Sequence, residues 1–227
     1  MTNAPKPLSR FTVPLLPRPR NSRSFSNSRL TPSTNLALVE GDIGLAATAE
    51  KIAQTAIEEF GSIDGLVNNA GIFFAKAFTE YTTEDFKALS SVNLEGFLHA
   101  TQGAVKQMLS QKSGGSVVTI TTSLAVNPIA GVTSFVPMIT KGGLEAVTLS
   151  LASEYAKEHI RFNAVAPGIV DTPMHTTDPK DFLKTLSPMG VIADAKDIAD
   201  AVVYLTEARY VTGEVLHVDG GAHAGKW

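Results

Sequence analysis

The stretch Asn68-Asn69-Ala70-Gly71 closes a short, mostly apolar run that begins at Ile63. An apolar run bounded by Gly61-Ser62 on one side and by a polar, glycine-containing turn on the other predicts a buried strand. In open α/β sheets, ligands bind beyond the carboxyl ends of the strands. The Asn-Asn-Ala-Gly turn is therefore a candidate ligand site.

Apolar strands and amphipathic helices alternate around this stretch. The predicted strands cover residues 35–40, 62–69, 116–122, 161–165 and 214–218. The predicted helices cover residues 46–60, 83–111 with a bend near Gly96, 136–158 and 194–207, and residues 171–190 form a loop or lid. This alternation predicts parallel βαβ units, and hence an α/β fold with a doubly wound parallel sheet.

Composition limits the class of protein. A chain of 227 residues with 44% hydrophobic and 18% charged residues is typical of one globular domain. The net charge of −3 argues against nucleic-acid binding, and the absence of cysteine excludes disulfides and thiolate metal sites. Because no apolar run approaches 18 residues, we expect no membrane span.

The N-terminal residues differ from the rest of the chain. Residues 1–39 carry a net charge of +6 and are rich in proline and serine, which leaves −9 for the remainder. We expect residues 1–34 to be a disordered tail, since such a composition buries little apolar surface. A transit peptide, which would make the protein mitochondrial, and a frame or splicing artefact are the alternatives.

Four ordered motifs carry a family resemblance: Asn68–Gly71, Val92-Asn93-Leu94-Glu95-Gly96, Thr140-Lys141-Gly142-Gly143 and Pro167–Thr172. From about residue 35 to the C-terminus, the chain resembles the short-chain dehydrogenases/reductases. The resemblance implies a Rossmann-like domain that binds NAD or NADP and acts on a secondary alcohol or ketone. It also implies a cytoplasmic homo-oligomer, a dimer or tetramer, built through the helices near 84–111 and 136–158.

The same resemblance assigns roles to residues. The expected cofactor contacts are Asp42, Asn69, Ala70, Gly71, Lys141, Val170 and Thr172. The expected catalytic residues are Asn93, Ser123 and Lys141, with Thr122 as the alternative to Ser123. We expect no metal site.

Two features depart from the family pattern. The family's proton-transferring tyrosine should precede Lys141 by four residues, and Pro137 stands there, while the tyrosines are at 81, 155, 204 and 210. No Gly-x-Gly-x-x-Gly or Gly-x-x-x-Gly-x-Gly turn follows a strand, although such a turn normally binds the pyrophosphate.

The first two strands of the family fold are also not recognisable. Their loss would leave the strand near 63–69 with unpaired backbone groups and lower the stability. Phe11 to Leu16 is a candidate replacement, but Pro14 argues against a central strand because proline cannot donate to the ladder.

Three functions remain open. The first is an oxidoreductase in which Ser123 and Lys141 take over from the tyrosine. The alternative is a catalytically inactive pseudoenzyme or partner subunit, and a lyase or isomerase on the same fold is a third option. His175, in the predicted lid, is a further candidate to face the substrate.

Overall fold

The computed structural model describes residues 11–15 and 36–225, with side chains from residue 36 onward. Strands β1 (Phe11–Leu15) and β2 (Ala37–Gly41) form an antiparallel two-stranded ribbon. Pro14 lies opposite Leu38 in this ribbon. Both strands of a ribbon are edge strands, where a proline without an N–H group is tolerated.

Within the described ranges, the main sheet has four parallel strands in the order β3-β4-β5-β6. Its strands are β3 (Gly65–Asn68), β4 (Gly115–Ile120), β5 (Ile160–Pro167) and β6 (Val215–Val218). Val117, Val118 and Val165 are fully buried in the two central strands. Helices cover both faces of a parallel sheet, which is why these strands read as β-branched apolar runs.

Among the described residues, six α-helices accompany the strands. They are α1 (Ala46–Phe60), α2 (Thr83–Ser90), α3 (Gly96–Gln111), α4 (Phe135–Glu154), α5 (Lys180–Lys184) and α6 (Ala195–Glu207). Capping boxes begin α2 at Thr82 and α6 at Asp194. The bend expected near Gly96 is a π-helical turn over Ser91–Glu95 between α2 and α3.

Two apolar layers hold α3, α4 and α6 on the sheet. On one face, Met108 of α3 packs with Val117 and Phe162. On the other face, Leu205 of α6 packs with Val118 and Val165. The α/β, parallel, Rossmann-like fold expected from the sequence is therefore confirmed.

The strands of the N-terminal part pair differently from what the sequence predicts. Phe11–Leu15, within the segment expected to be disordered, is a strand that pairs with β2 and not with β3. The strand expected at 35–40 lies outside the main sheet, because its partner is β1. Residues 1–10 and 16–35 lie outside the described residues, so disorder over the rest of 1–34 stays a prediction.

The outer edge of β3 has no strand neighbour within the described ranges 11–15 and 36–225. Val67 on β3 is 47% exposed, whereas the valines of β4 are buried. The sequence predicts such an open edge, because the family's first strand, which would pair with β3, is not recognisable in this chain. In the described part of the chain, no helix combines the length and apolar character needed to cross a bilayer.

Candidate active site

A cavity of about 700 Å³ lies beyond the carboxyl ends of β3, β4 and β5. The strand ends contribute Asn69, Thr121, Thr122 and Gly168, and Lys141 enters from α4. Apolar side chains of α6 complete the wall. This is the position at which open α/β sheets bind ligands, and the volume suits a small molecule or cofactor.

Lys141 presents the amine of this cavity. Its Nζ donates a hydrogen bond to the carbonyl oxygen of Ile120 at 2.7 Å. Burial lowers the pKa of Lys141 to about 8, because the charged ammonium is poorly solvated there. Gly71 lies against this amine, and a Cβ at position 71 would stand 3.1 Å from Nζ. The missing side chain at Gly71 keeps space open around Nζ.

Asn93 is buried behind Gly71 and joins two parts of the wall. Its Oδ1 accepts from the Ile72 amide at 2.9 Å, and its Nδ2 donates to the Ile72 carbonyl at 3.1 Å. Nδ2 also donates to Thr140 Oγ1 at 3.1 Å, one residue before Lys141. Asn93 therefore ties the loop after β3 to α4.

The hydroxyl at the end of β4 comes from Thr122. Thr122 lines the cavity, whereas Ser123 is buried and is not among the described lining residues. Thr122 caps the 3₁₀ turn Ser123–Ala125 by accepting from the Leu124 amide at 3.4 Å. This geometry favours Thr122 over Ser123 as the substrate-facing hydroxyl. Thr122 is the residue that the sequence analysis gave as the alternative to Ser123.

Pro137 lies one turn before Lys141 and is buried in the first turn of α4. Its carbonyl oxygen accepts from Thr140 Oγ1 at 3.1 Å. Among the described residues that line the cavity, none is a tyrosine. That Pro137 replaces the family's tyrosine stays a prediction from the motif spacing.

The Pro167-Gly168 turn brings Val170 and Thr172 into the wall, and their contact with a nicotinamide carboxamide stays a prediction. A Cβ at Gly168 would lie 2.8 Å from the Cα of Asp219, so only glycine fits this approach to the end of β6. Asp219 in turn accepts from the amides of Gly221 and His223. The turn is thus held against a fixed backbone.

Two expected cofactor contacts lie elsewhere in this structure. Asp42 is not among the described lining residues, and its Oδ1 accepts from the amide of Gly44 at 2.9 Å within its own turn. Ala70 packs against the apolar cluster that includes Val39 and Ile43. Their roles in adenosine binding stay predictions.

The sequence reading named His175 but missed Asp178. His175 lines the cavity, and its Nδ1 lies 2.7 Å from Asp178 Oδ2. The sequence does contain a signal for this contact. It places a histidine and an aspartate three residues apart, shortly after the Pro-Gly turn. Among the described residues, no cluster of histidine and carboxylate groups is arranged to hold a metal ion.

The cavity fits the nicotinamide half of a dinucleotide. Its wall offers an amide, a hydroxyl and an amine, from Asn69, Thr172 and Lys141, beside backbone left open by Gly71. These groups can hydrogen-bond ribose hydroxyls and a carboxamide. No glycine precedes Gly41 in the chain. Most residues before Gly41 lie outside the described part of the chain, so the absence of a pyrophosphate loop stays a prediction.

Comparison with known proteins finds reductases and dehydrogenases that are similar to this chain. Residues 21–223 match the family model described as enoyl-(acyl carrier protein) reductase. The chain is 36% identical to the L-rhamnose-1-dehydrogenase of Scheffersomyces stipitis over 194 residues, which is 82% of this chain and 74% of that protein.

Solved structures extend the likeness. ElxO with NADP bound matches with a TM-score of 0.76 and 28% identity, covering 81% of this chain and 77% of that one. A short-chain dehydrogenase/reductase from Burkholderia xenovorans matches with a TM-score of 0.77 and 28% identity, covering 82% and 74%. The fold and the site define a Rossmann-type oxidoreductase. The chain belongs to the short-chain dehydrogenase/reductase family.

Proposed function

We propose that the protein is an NAD(P)-dependent oxidoreductase that interconverts a secondary alcohol and a ketone. One observation carries this proposal: a single cavity at the carboxyl edge of the sheet contains Asn69, Gly71, Lys141, Val170 and Thr172. These are residues that the family resemblance assigns to the cofactor. The bound cofactor supplies or accepts the hydride.

The side chains around the cavity have separable tasks. Lys141 binds the ribose hydroxyls, and Asn93 fixes the backbone beside it. Thr122 donates its hydroxyl to the substrate oxygen in the role that the sequence assigned first to Ser123. Val170 and Thr172 position the nicotinamide carboxamide.

The relatives support this class of reaction. One is a sugar dehydrogenase, the family model describes a reductase, and ElxO binds NADP. They give no support to an inactive pseudoenzyme. A small-molecule substrate follows from the class, while the choice between NAD and NADP, the oligomeric state and the cytoplasmic location stay predictions.

Calorimetric titration with NADH and NADPH tests the proposal first. We expect one of the two cofactors to bind. We also expect the protein to reduce members of a ketone panel, which is measured as loss of the nicotinamide absorbance. Lys141→Met should weaken cofactor binding, whereas Lys106→Met, an exposed lysine on α3, should not. A folded protein that binds neither cofactor contradicts the proposal.

A further inference from the structure

Proton transfer is the part of this reaction that the cavity leaves without an obvious residue. A ketone that receives hydride must also receive a proton, and an alcohol must lose one. No tyrosine lines the cavity within the described part of the chain. The described lining residues that can carry charge are Lys141 and His175.

His175 has the geometry of an oriented acid–base group. It ends the 3₁₀ turn Pro173–His175, directly after Thr172, and 22% of its side chain is exposed. Asp178 holds Nδ1 at 2.7 Å. A carboxylate on one ring nitrogen fixes the tautomer and the ring orientation, which leaves Nε2 available to a bound molecule.

The surroundings of His175 are otherwise weakly charged. Across the cavity, α6 contributes only alanine, isoleucine and valine side chains to the wall, and α4 contributes Lys141. Other charged side chains of this segment are paired with one another, Asp171 with Lys180 and Asp181 with Lys184. Asp178 is therefore the carboxylate that acts on the imidazole of His175.

Lys141 is less suited to the task. Its Nζ is already held by the Ile120 carbonyl at 2.7 Å, and it lies beside Gly71 and Asn93, in the part of the wall assigned to the ribose. His175 instead follows the segment assigned to the nicotinamide carboxamide. The reacting carbonyl must lie next to the nicotinamide, so His175 is the better placed of the two.

We infer that His175 is the proton-transfer residue of this enzyme and that Asp178 is its positioning residue. The inference rests on the proposed oxidoreductase function. During reduction, hydride adds to the carbonyl carbon, the C=O π bond breaks, and its electron pair takes the proton from Nε2 of the imidazolium. The products are the alcohol, the oxidised cofactor and neutral imidazole, which regains a proton from solvent. Oxidation runs these steps in reverse.

The test uses His175→Gln, which keeps a polar end near Nε2 but cannot titrate, and Asp178→Asn, which keeps the shape of the carboxylate. His99→Gln on α3 is the matched control, because His99 lies outside this cavity. For each protein we would measure cofactor affinity by titration, and kcat and KM over a range of pH with NADPH or NADH and a ketone panel.

We expect His175→Gln to lower kcat by about 100-fold or more, with cofactor affinity unchanged, since positioned acids and bases contribute that much. A proton-transfer group makes kcat/KM change with pH along one side of its pH profile, which we call the pH limb. This limb should vanish in His175→Gln and move to another pH in Asp178→Asn. A purely structural pair would lower thermal stability without moving that limb.

Two results overturn the inference while leaving the proposed function intact. One is unchanged kcat in both His175→Gln and Asp178→Asn. The other is a limb near pH 8 that survives in His175→Gln and vanishes in Lys141→Met, which would make Lys141 the proton donor. A wild-type protein without cofactor binding or turnover overturns the proposed function and this inference together.

Discussion

The Lys141 amine links the chemistry of the site to the stability of the fold. Burial lowers its pKa from 10.5 to about 8. Below about pH 8 the amine is protonated in both the folded and the unfolded chain. Between about pH 8 and 10.5 only the unfolded chain holds the proton, so the free energy of unfolding should rise with pH by up to about 3 kcal/mol.

Urea denaturation of the wild type and of Lys141→Met at several pH values measures this contribution. The difference between the two proteins isolates Lys141 from the other titrating groups. We expect the wild type to gain stability relative to Lys141→Met as the pH rises above 8. Parallel stability curves for the two proteins would contradict a buried, destabilised ammonium at this position.

Gly71 gives a second test at the scale of one residue. An alanine methyl here would stand 3.1 Å from Lys141 Nζ and 3.3 Å from Asn93 Oδ1. Both neighbours must then shift, at a cost of about 1–3 kcal/mol, and cofactor binding should weaken. Chemical denaturation and calorimetric titration of Gly71→Ala measure the two effects.

Gly143→Ala is the matched control for that substitution. Gly143 lies in α4, and nothing would stand within 4 Å of an added Cβ. Alanine is the better helix former, so this change should raise the stability by about 0.5–1 kcal/mol and leave cofactor binding unchanged. Equal effects of the two substitutions would mean that crowding at Gly71 is unimportant.

At the scale of elements, Asn93 joins the π-helical turn Ser91–Glu95 to the loop after β3 and to α4. In Asn93→Ala, the Ile72 amide and carbonyl lose their partner, and Thr140 Oγ1 loses one donor but keeps its hydrogen bond to the Pro137 carbonyl. Leaving buried polar groups unpaired costs about 1–3 kcal/mol, so the unfolding midpoint should fall by a corresponding amount. Hydrogen exchange of the Ile72 amide should accelerate most.

Gln102→Ala, on the exposed side of α3, serves as its control and should change the stability by less than about 0.5 kcal/mol. If Asn93→Ala is equally silent, water replaces the amide without loss, and Asn93 does not hold the loop to α4.

Local pattern explains which elements the sequence predicted. Helix α1 was predicted over 46–60 and lies at Ala46–Phe60, because its apolar spacing and the left-handed Gly61 that ends it are local signals. The partner of β2 was missed, because strand pairing is decided by distant segments. The motif after β4 left Ser123 and Thr122 as alternatives for the substrate-facing hydroxyl. In the structure, Thr122 caps the turn and lines the cavity, whereas Ser123 is buried.

The motifs also explain what was found and missed in the site. Asn69, Gly71, Lys141, Val170 and Thr172 were recognised through short motifs and do meet at one cavity. Asp178 lies in a loop without a motif, so only the folded geometry reveals its contact with His175. Contacts made by single loop residues leave no periodic signal in the sequence.

At the scale of the whole molecule, α3 and α4 carry exposed apolar side chains. The exposed fractions are 47% for Leu98, 39% for Leu109, 42% for Ile139 and 56% for Leu149. Exposed apolar side chains favour association between copies of a chain when they form a contiguous patch. These are the helices through which the family resemblance predicts a dimer or tetramer.

Leu149→Lys tests this surface. Placing a charge in a contact between copies should dissociate the assembly, because an unpaired charge is costly to bury. Light scattering after size-exclusion chromatography should give a multiple of 24.0 kDa for the wild type and the monomer mass for Leu149→Lys. Tyr210→Lys, at a fully exposed aromatic residue after α6, should keep the wild-type mass. A monomeric wild type would show that these helix faces are exposed in solution, and the predicted homo-oligomer would be wrong.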